Sequence, residues 1–202
     1  MVSFLPPTFY FALLVLYFIE NRFSGYIPTI SETGTELPNN DIMVPFFCCI
    51  AGSIFYQLSS LSAYVITFYK TNIISRFFLR IITYISSISY ILIALFPMDK
   101  KPSQHFSSTF LAFFGIIIFQ LIVLFSTRCD YSFWRCIVRF IYIIFQVVPL
   151  VVCAISSHVW NNRVNVTIQA FGEYSLVILL PFFFISFSKE LSNTVMIISA
   201  DQ

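Results

Sequence analysis

A few ionisable side chains lie close to the ends of long apolar stretches, where a carboxylate and an imidazole can do chemistry together. Glu173 lies about one turn inside the last apolar stretch, His105 opens the fourth, and Asp99 follows the third. An ionisable residue in a membrane segment is costly and usually faces a partner inside the bundle. A Glu–His pair there predicts a proton relay, an acid–base pair, a metal site or a clamp for a lipid headgroup. It is equally consistent with a structural hydrogen bond between two helices.

The loop between the first two apolar stretches is a second candidate site. Its sequence from Gly25 to Asp41, GYIPTISETGTELPNND, combines proline and glycine with Ser and Thr hydroxyls. That mixture favours ordered turns over a flexible linker. The loop is also acidic, with carboxylates at Glu20, Glu32, Glu36 and Asp41. We expect either a solvated loop that caps the bundle or a lid that binds a headgroup, a cation or a partner.

Six apolar stretches must position these candidates. The chain has 202 residues, of which 58% are hydrophobic and 10% charged, whereas a soluble domain has about 25% charged residues. Backbone polar groups in hydrocarbon must be bonded internally, which requires helices or a closed barrel. Barrel strands alternate in polarity, but stretches such as Ile116 to Phe125 are continuously apolar. The sequence therefore predicts an all-α polytopic membrane protein, a bundle of six transmembrane helices with an ordered first lumenal loop.

The apolar stretches also set the expected boundaries. We predict one membrane domain over residues 1–202, with spans at about 4–19, 44–69, 77–96, 105–127, 136–156 and 169–187. The start MVSFLPP lacks the positive residues of a signal peptide, so the first span is expected to be retained.

Basic residues in the connectors predict that both termini are cytoplasmic. With that orientation the inner segments contain Lys70, Arg76, Arg80, Arg128, Arg135, Arg139 and Lys189. The outer segments contain only Arg22, Lys100, Lys101 and Arg163. Asn165-Val166-Thr167 is a glycosylation sequon, and this topology places Asn165 on the outer, lumenal side as a candidate acceptor.

Several classes of function are disfavoured. The net charge of +2 and the lack of a basic block argue against nucleic-acid binding. The cysteines form no C-x-x-C pair or zinc-site spacing. The chain has no Gly-rich phosphate loop, H-E-x-x-H or G-x-S-x-G motif, and no mid-membrane chain of charges typical of a pump. We therefore assign no catalytic residue, metal or cofactor, and we expect membrane lipids and endomembrane proteins as partners.

The first loop resembles the signature of the damage-regulated autophagy modulator (DRAM) family, roughly I-S-[DE]-T-G-x-x-x-P. The matching residues are Ile30, Ser31, Glu32, Thr33, Gly34 and Pro38. His105, at the start of span four, and Glu173-Tyr174 match a family histidine and a family glutamate followed by an aromatic residue. The segment FSKELSNTVMII, from Phe187 to Ile198, resembles the family's closing F-x-x-[DE]-[FL] stretch. The chain departs from the family in Tyr174, where Trp is commoner, and in its fifth loop.

This resemblance implies a membrane protein of the lysosome or another endomembrane that modulates autophagy, and it favours a non-enzymatic role. The wider Frag/DRAM/Sfk superfamily includes a Golgi protein of GPI-anchor lipid remodelling and plasma-membrane regulators of phosphoinositide kinase. A lipid or GPI-anchor remodelling factor, or a regulator of a phosphoinositide kinase, is therefore the alternative, with the Golgi or plasma membrane as its location. No accepted catalytic residues carry over from the DRAM branch.

Overall fold

The helical elements follow the apolar stretches. A computed structural model describes residues 5–19, 25–35, 39–69, 71–127, 133–158 and 163–192. The helices are α1 (Leu5–Ile19), α2 (Ile30–Thr33), α3 (Asn39–Phe68), α4 (Ile73–Leu95), α5 (Pro102–Thr127), α6 (Phe133–His158) and α7 (Arg163–Ile185). A further helical turn covers 188–192. No strand occurs within these ranges, so the all-α prediction is confirmed.

Within the part of the chain that the structure describes, five helices, α3 to α7, are long and apolar enough to cross a bilayer, which needs about 20 residues. The first predicted span corresponds to α1, whose apolar part, Pro7–Ile19, is shorter. The long apolar helices make the chain an integral, multi-pass membrane protein and confirm the predicted helical bundle.

The long helices α3 to α7 begin earlier in the sequence than predicted, although their ends agree closely. α3 begins at Asn39 rather than near residue 44, α4 at Ile73 rather than near 77, and α7 at Arg163 rather than near 169. Hydropathy detects only the part of a helix that suits hydrocarbon, whereas polar first turns extend beyond it. At α4, the side chain of Asn72 accepts a hydrogen bond from the backbone N–H of Ser75 at 2.7 Å. This N-cap begins the helix before its apolar run.

The long helices pack side by side, and α1 completes the arrangement by contacting both α3 and α7. Neighbouring pairs pack closely except for α5 and α6, which contact each other less extensively than α4 and α5 or α6 and α7. Because consecutive helices run in opposite directions, α2, the starts of α3, α5 and α7, and the ends of α4 and α6 share one end of the bundle. We call this the first-loop end, and the other the opposite end.

A buried amide pair joins α5 to α6. The Nε2 of Gln120 donates to Oε1 of Gln146 at 3.2 Å, and Nε2 of Gln146 donates to the carbonyl of Tyr142 at 3.3 Å. Both glutamines are buried. Such interhelical bonds in membranes contribute about 0.6–2 kcal/mol each. The pair therefore helps to hold together the two consecutive long helices that pack least closely.

Gly172 allows α7 to approach α6. A Cβ added there would lie 2.6 Å from Sγ of Cys153 and 3.2 Å from the carbonyl oxygen of Pro149. We expect Gly172→Ala to lower the free energy of unfolding by about 1–3 kcal/mol, because one helix must shift to relieve the overlap. The measurement is unfolding by SDS in mixed detergent micelles, followed by tryptophan fluorescence.

Gly52 in α3 supplies the matched control, because a Cβ there would meet no atom within 4 Å. Gly52→Ala is expected to leave stability unchanged or to raise it slightly, since alanine favours a helix over glycine. Equal losses in the two variants would show that the α6–α7 approach does not depend on Gly172.

Candidate functional site

The first loop folds into a short helix with a capping box. Thr29 is the N-cap of α2: its Oγ1 accepts from the N–H of Glu32 at 3.0 Å, and Oε2 of Glu32 accepts from the N–H of Thr29 at 2.9 Å. Tyr26 donates its hydroxyl to Oε1 of Glu32 at 3.2 Å, and Thr33 donates to the carbonyl of Ile30 at 2.7 Å. These local bonds satisfy the groups that a helix end leaves unpaired. The described part of the loop, residues 25–35, is thus ordered, as predicted.

Gly34 ends α2 where the chain passes close to α3. A Cβ on Gly34 would collide with the side chain of Met43, which is buried. Because Gly34 has no side chain, this turn can pack closely against Met43 of α3. Pro38, the last residue of the loop motif, lies outside the described residues.

Glu173 of α7 binds the start of α2. Its Oε2 accepts from the backbone N–H of Ile30 at 2.8 Å and from that of Ser31 at 3.4 Å. Its Oε1 accepts from Nε2 of Gln169, one turn earlier on α7, at 3.0 Å. Glu173 is only 8% exposed, and a buried carboxyl group must be hydrogen-bonded to offset its desolvation. The carboxyl group and the first N–H groups of α2 therefore satisfy each other.

His105 lies on the other side of the same short helix. Its Nδ1 is 2.8 Å from the carbonyl oxygen of Phe96, and its Nε2 is 2.8 Å from Oγ of Ser31. A carbonyl only accepts, so Nδ1 carries a proton, and a neutral imidazole then accepts at Nε2 from the Ser31 hydroxyl. His105 is 2% exposed. The imidazole thus joins the end of α4 to the first loop.

The structure brings Glu173 and His105 into one cluster, but through Ser31. No hydrogen bond or ion pair joins these two described side chains directly. We call Ser31, His105, Gln169 and Glu173 the Ser31 cluster. Gln169 was not singled out in the sequence, although its spacing of four residues from Glu173 on a helix places both on one face.

The remaining predicted site residues lie elsewhere. Asp99 is exposed in the turn before α5 and is not among the described residues that line the cavity beside the Ser31 cluster. Asn165 falls in the first turn of α7, whereas the sequence predicted a loop there; its side chain lies outside the described part. Within the described ranges, no group of three or more His, Cys, Asp or Glu side chains could hold a metal ion.

A cavity of about 270 Å³ lies beside the Ser31 cluster, between α5, α6 and α7. All four residues of the cluster line one part of it. The other lining residues are mainly apolar: Phe106, Thr109, Phe110, Phe113, Leu150, Cys153, Ala154 and Leu176. The cavity therefore has a polar end near the first loop and aromatic and aliphatic walls.

A second polar cluster lies at the opposite end and was missed in the sequence. Arg139 of α6 is 1% exposed and donates to the carbonyl and Oγ of Ser186, at 2.7 and 3.1 Å, and to Oε1 of Glu190 at 2.8 Å. Its guanidinium lies 3.4 Å from the centroid of the Phe187 ring. Arg135 also contacts Oε1 of Glu190, at 3.3 Å. We call this the Arg139 clasp, and it ties α6 to the turn after α7.

Comparisons with known proteins give no relative: no family model matches the chain, and no curated protein or solved structure is significantly similar to it. Its function must therefore be argued from its residues and their geometry.

Proposed function

We propose that this chain is a DRAM-like integral membrane protein that modulates autophagy at lysosomal or other endomembranes without catalysing a reaction. One observation carries the proposal: the first-loop motif, His105 and Glu173, on which the resemblance rests, contact one another through Ser31. When residues that are distant in sequence share one hydrogen-bonded cluster, replacing one of them changes the hydrogen bonds of the others. The contact supports treating the three matching segments as one unit rather than as separate coincidences.

The closing segment adds independent support. Phe187 and Glu190, the phenylalanine and the acidic residue of the closing motif, both contact Arg139. The matching residues at this end of the bundle therefore also meet at one point.

The geometry of Ser31 favours binding over acyl transfer. A serine hydroxyl 2.8 Å from a histidine nitrogen has the spacing of a nucleophile and its base. However, acyl transfer also needs N–H groups aimed at a developing oxyanion. The nearby N–H groups of Ile30 and Ser31 already donate to Glu173, and a carboxylate there would repel an oxyanion. The arrangement supports a non-enzymatic role.

We further propose that both termini are cytoplasmic and that the first-loop end faces the lumen. Within the described ranges, the opposite end carries Arg76, Arg80, Arg135, Arg139 and Lys189, whereas the first-loop end carries Lys100, Lys101 and Arg163. Such a bias favours the cytoplasm for the more basic end. In this orientation the cavity opens in the lumenal half of the bilayer.

A lipid or GPI-anchor remodelling factor, or a regulator of phosphoinositide kinase, is the alternative. The observation that favours it is the cavity itself, whose polar end and apolar walls suit a lipid. In this alternative the function depends on a lipid bound in the cavity, whereas in the first proposal it depends on the first loop.

The test is deletion of the gene in cells that express it, followed by measurement of autophagic flux with and without a lysosomal inhibitor. We expect altered flux that the intact chain restores and that Glu173→Leu restores less well. Ile178→Leu on the same helix is the control, because Ile178 is exposed on the bundle surface.

Lipid profiling of the same cells separates the two candidates. Unchanged flux with altered GPI anchors or phosphoinositides, reproduced by His105→Ala or Glu173→Gln, would replace the autophagy proposal by the alternative. Unchanged flux and unchanged lipids would overturn both.

A further inference from the structure

We propose that the cavity beside the Ser31 cluster binds a single-chain amphiphile whose head group donates hydrogen bonds, a long-chain amine or alcohol. This inference concerns the same site as the proposed function. It rests on that proposal, because it assigns the site a bound ligand and no catalysis. Binding can nevertheless be measured on purified protein, independently of any effect on autophagy.

The size of the cavity sets the bulk of the ligand. Its volume of about 270 Å³ is just below the roughly 300–1,000 Å³ typical of small-molecule sites. That is enough for a head group and the first part of one chain, and too little for the two chains of a phospholipid.

The hydrogen bonds within the cluster decide the type of head group. The Ser31 hydroxyl donates to His105, the Gln169 amide donates to Glu173, and the Nδ1 proton of His105 is held by a carbonyl. The capacity that remains is mostly for accepting: further lone pairs on the Glu173 carboxyl, on Oγ of Ser31 and on Oε1 of Gln169. A head group with N–H or O–H donors complements these atoms.

Charge separates amines and alcohols from anionic lipids. Among the described lining residues there is no lysine or arginine, and Glu173 is the acidic one. A phosphate or carboxylate head would bring a second negative charge beside Glu173 with no cation to offset it, which is costly at low dielectric. A protonated amine would instead pair with the carboxylate.

The walls of the cavity give access from the bilayer. Phe110 of α5 and Ala154 of α6 line the cavity and are also exposed on the surface of the bundle. They belong to α5 and α6, the pair of consecutive long helices that contact each other least extensively. An amphiphile can therefore enter sideways from the membrane, with its tail among the phenylalanines and its head at the Ser31 cluster.

The experiment uses the purified full chain in lipid nanodiscs and three clickable diazirine probes with the same hexadecyl chain, ending in an amine, an alcohol or a carboxylic acid. We expect saturable labelling by the amine and the alcohol that excess unlabelled hexadecylamine removes, and weak labelling by the acid. Mass spectrometry should place the label on α5 and α6. Glu173→Gln should lower labelling by the amine by about tenfold, since it removes the charge-assisted bond, and lower labelling by the alcohol much less.

A matched pair of variants tests the location. Ala154→Phe fills the cavity from α6 and should abolish saturable labelling, whereas Ile155→Phe, at the next residue, which is 61% exposed and does not line the cavity, should not. If Ala154→Phe does not fold, the competition experiment on the unaltered chain still decides, because labelling that hexadecylamine cannot compete would overturn the site. Equal labelling by the acid and the amine would overturn the head-group assignment.

The two proposals fail separately. Altered flux in deleted cells without saturable labelling would remove the ligand and leave the proposed function. Saturable labelling with unaltered flux would do the reverse.

Discussion

Replacing Arg139 by methionine is expected to lower the free energy of unfolding by about 3 kcal/mol, at the lower end of the range for breaking a buried ion pair. The guanidinium is almost fully buried and bonds both Ser186 and Glu190. Methionine keeps much of the apolar stem but leaves the Ser186 carbonyl without its charged donor. Glu190 keeps its contact with Arg135, which is why the upper end of the range is not expected.

Arg135→Met is the matched control, one turn earlier on α6. Arg135 contacts the same oxygen of Glu190, but its side chain is 56% exposed, and exposed ion pairs contribute about 0–1 kcal/mol. Both variants are measured by SDS unfolding in mixed micelles. If Arg139→Met costs no more than Arg135→Met, the Arg139 clasp does not stabilise the end of α7.

Most of the membrane helices could be predicted because hydrocarbon imposes a simple rule. Long apolar runs such as Ile116 to Phe125 must be helical, since nothing else satisfies their backbone. Their polar first turns follow a different rule, local capping, and so the Asn72 cap of α4 was not anticipated. Helix α2 has only four residues, and its order depends on a capping box and on Glu173. Hydropathy carries no signal for it.

The candidate site could be predicted only in part, for a related reason. Glu173 and His105 are recognisable because ionisable groups in apolar segments are costly. Their link, Ser31, is 142 residues from Glu173 in sequence, and only the packing of α2 on α1 and α7 brings it there. Asp99 lies near the same end but faces solvent. In the sequence, Arg139 contributes to the topology prediction alone, although an arginine inside an apolar stretch carries the same cost and also indicates a partner.

Replacing Glu173 by leucine is expected to lower the free energy of unfolding by about 2–4 kcal/mol. Leucine removes the acceptor of two backbone N–H groups, those of Ile30 and Ser31, and of the Gln169 amide. Each buried donor left without a partner costs about 1–3 kcal/mol. Removal of a buried carboxyl group offsets part of this loss. Glu173→Gln keeps one acceptor oxygen of similar shape, so we expect a smaller loss, about 1 kcal/mol.

Amide hydrogen exchange distinguishes a loosened first loop from a general loss of stability. If the carboxyl group holds α2 on the bundle, exchange in the peptide covering 25–35 should rise by about tenfold or more in Glu173→Leu while α4 stays protected. Glu32→Ala is the comparison, because it breaks the capping box but leaves both N–H bonds to Glu173 intact; it should raise exchange less. A Glu173→Leu protein whose first loop exchanges as slowly as the original would mean that packing alone, around Gly34 and Met43, holds the loop in place.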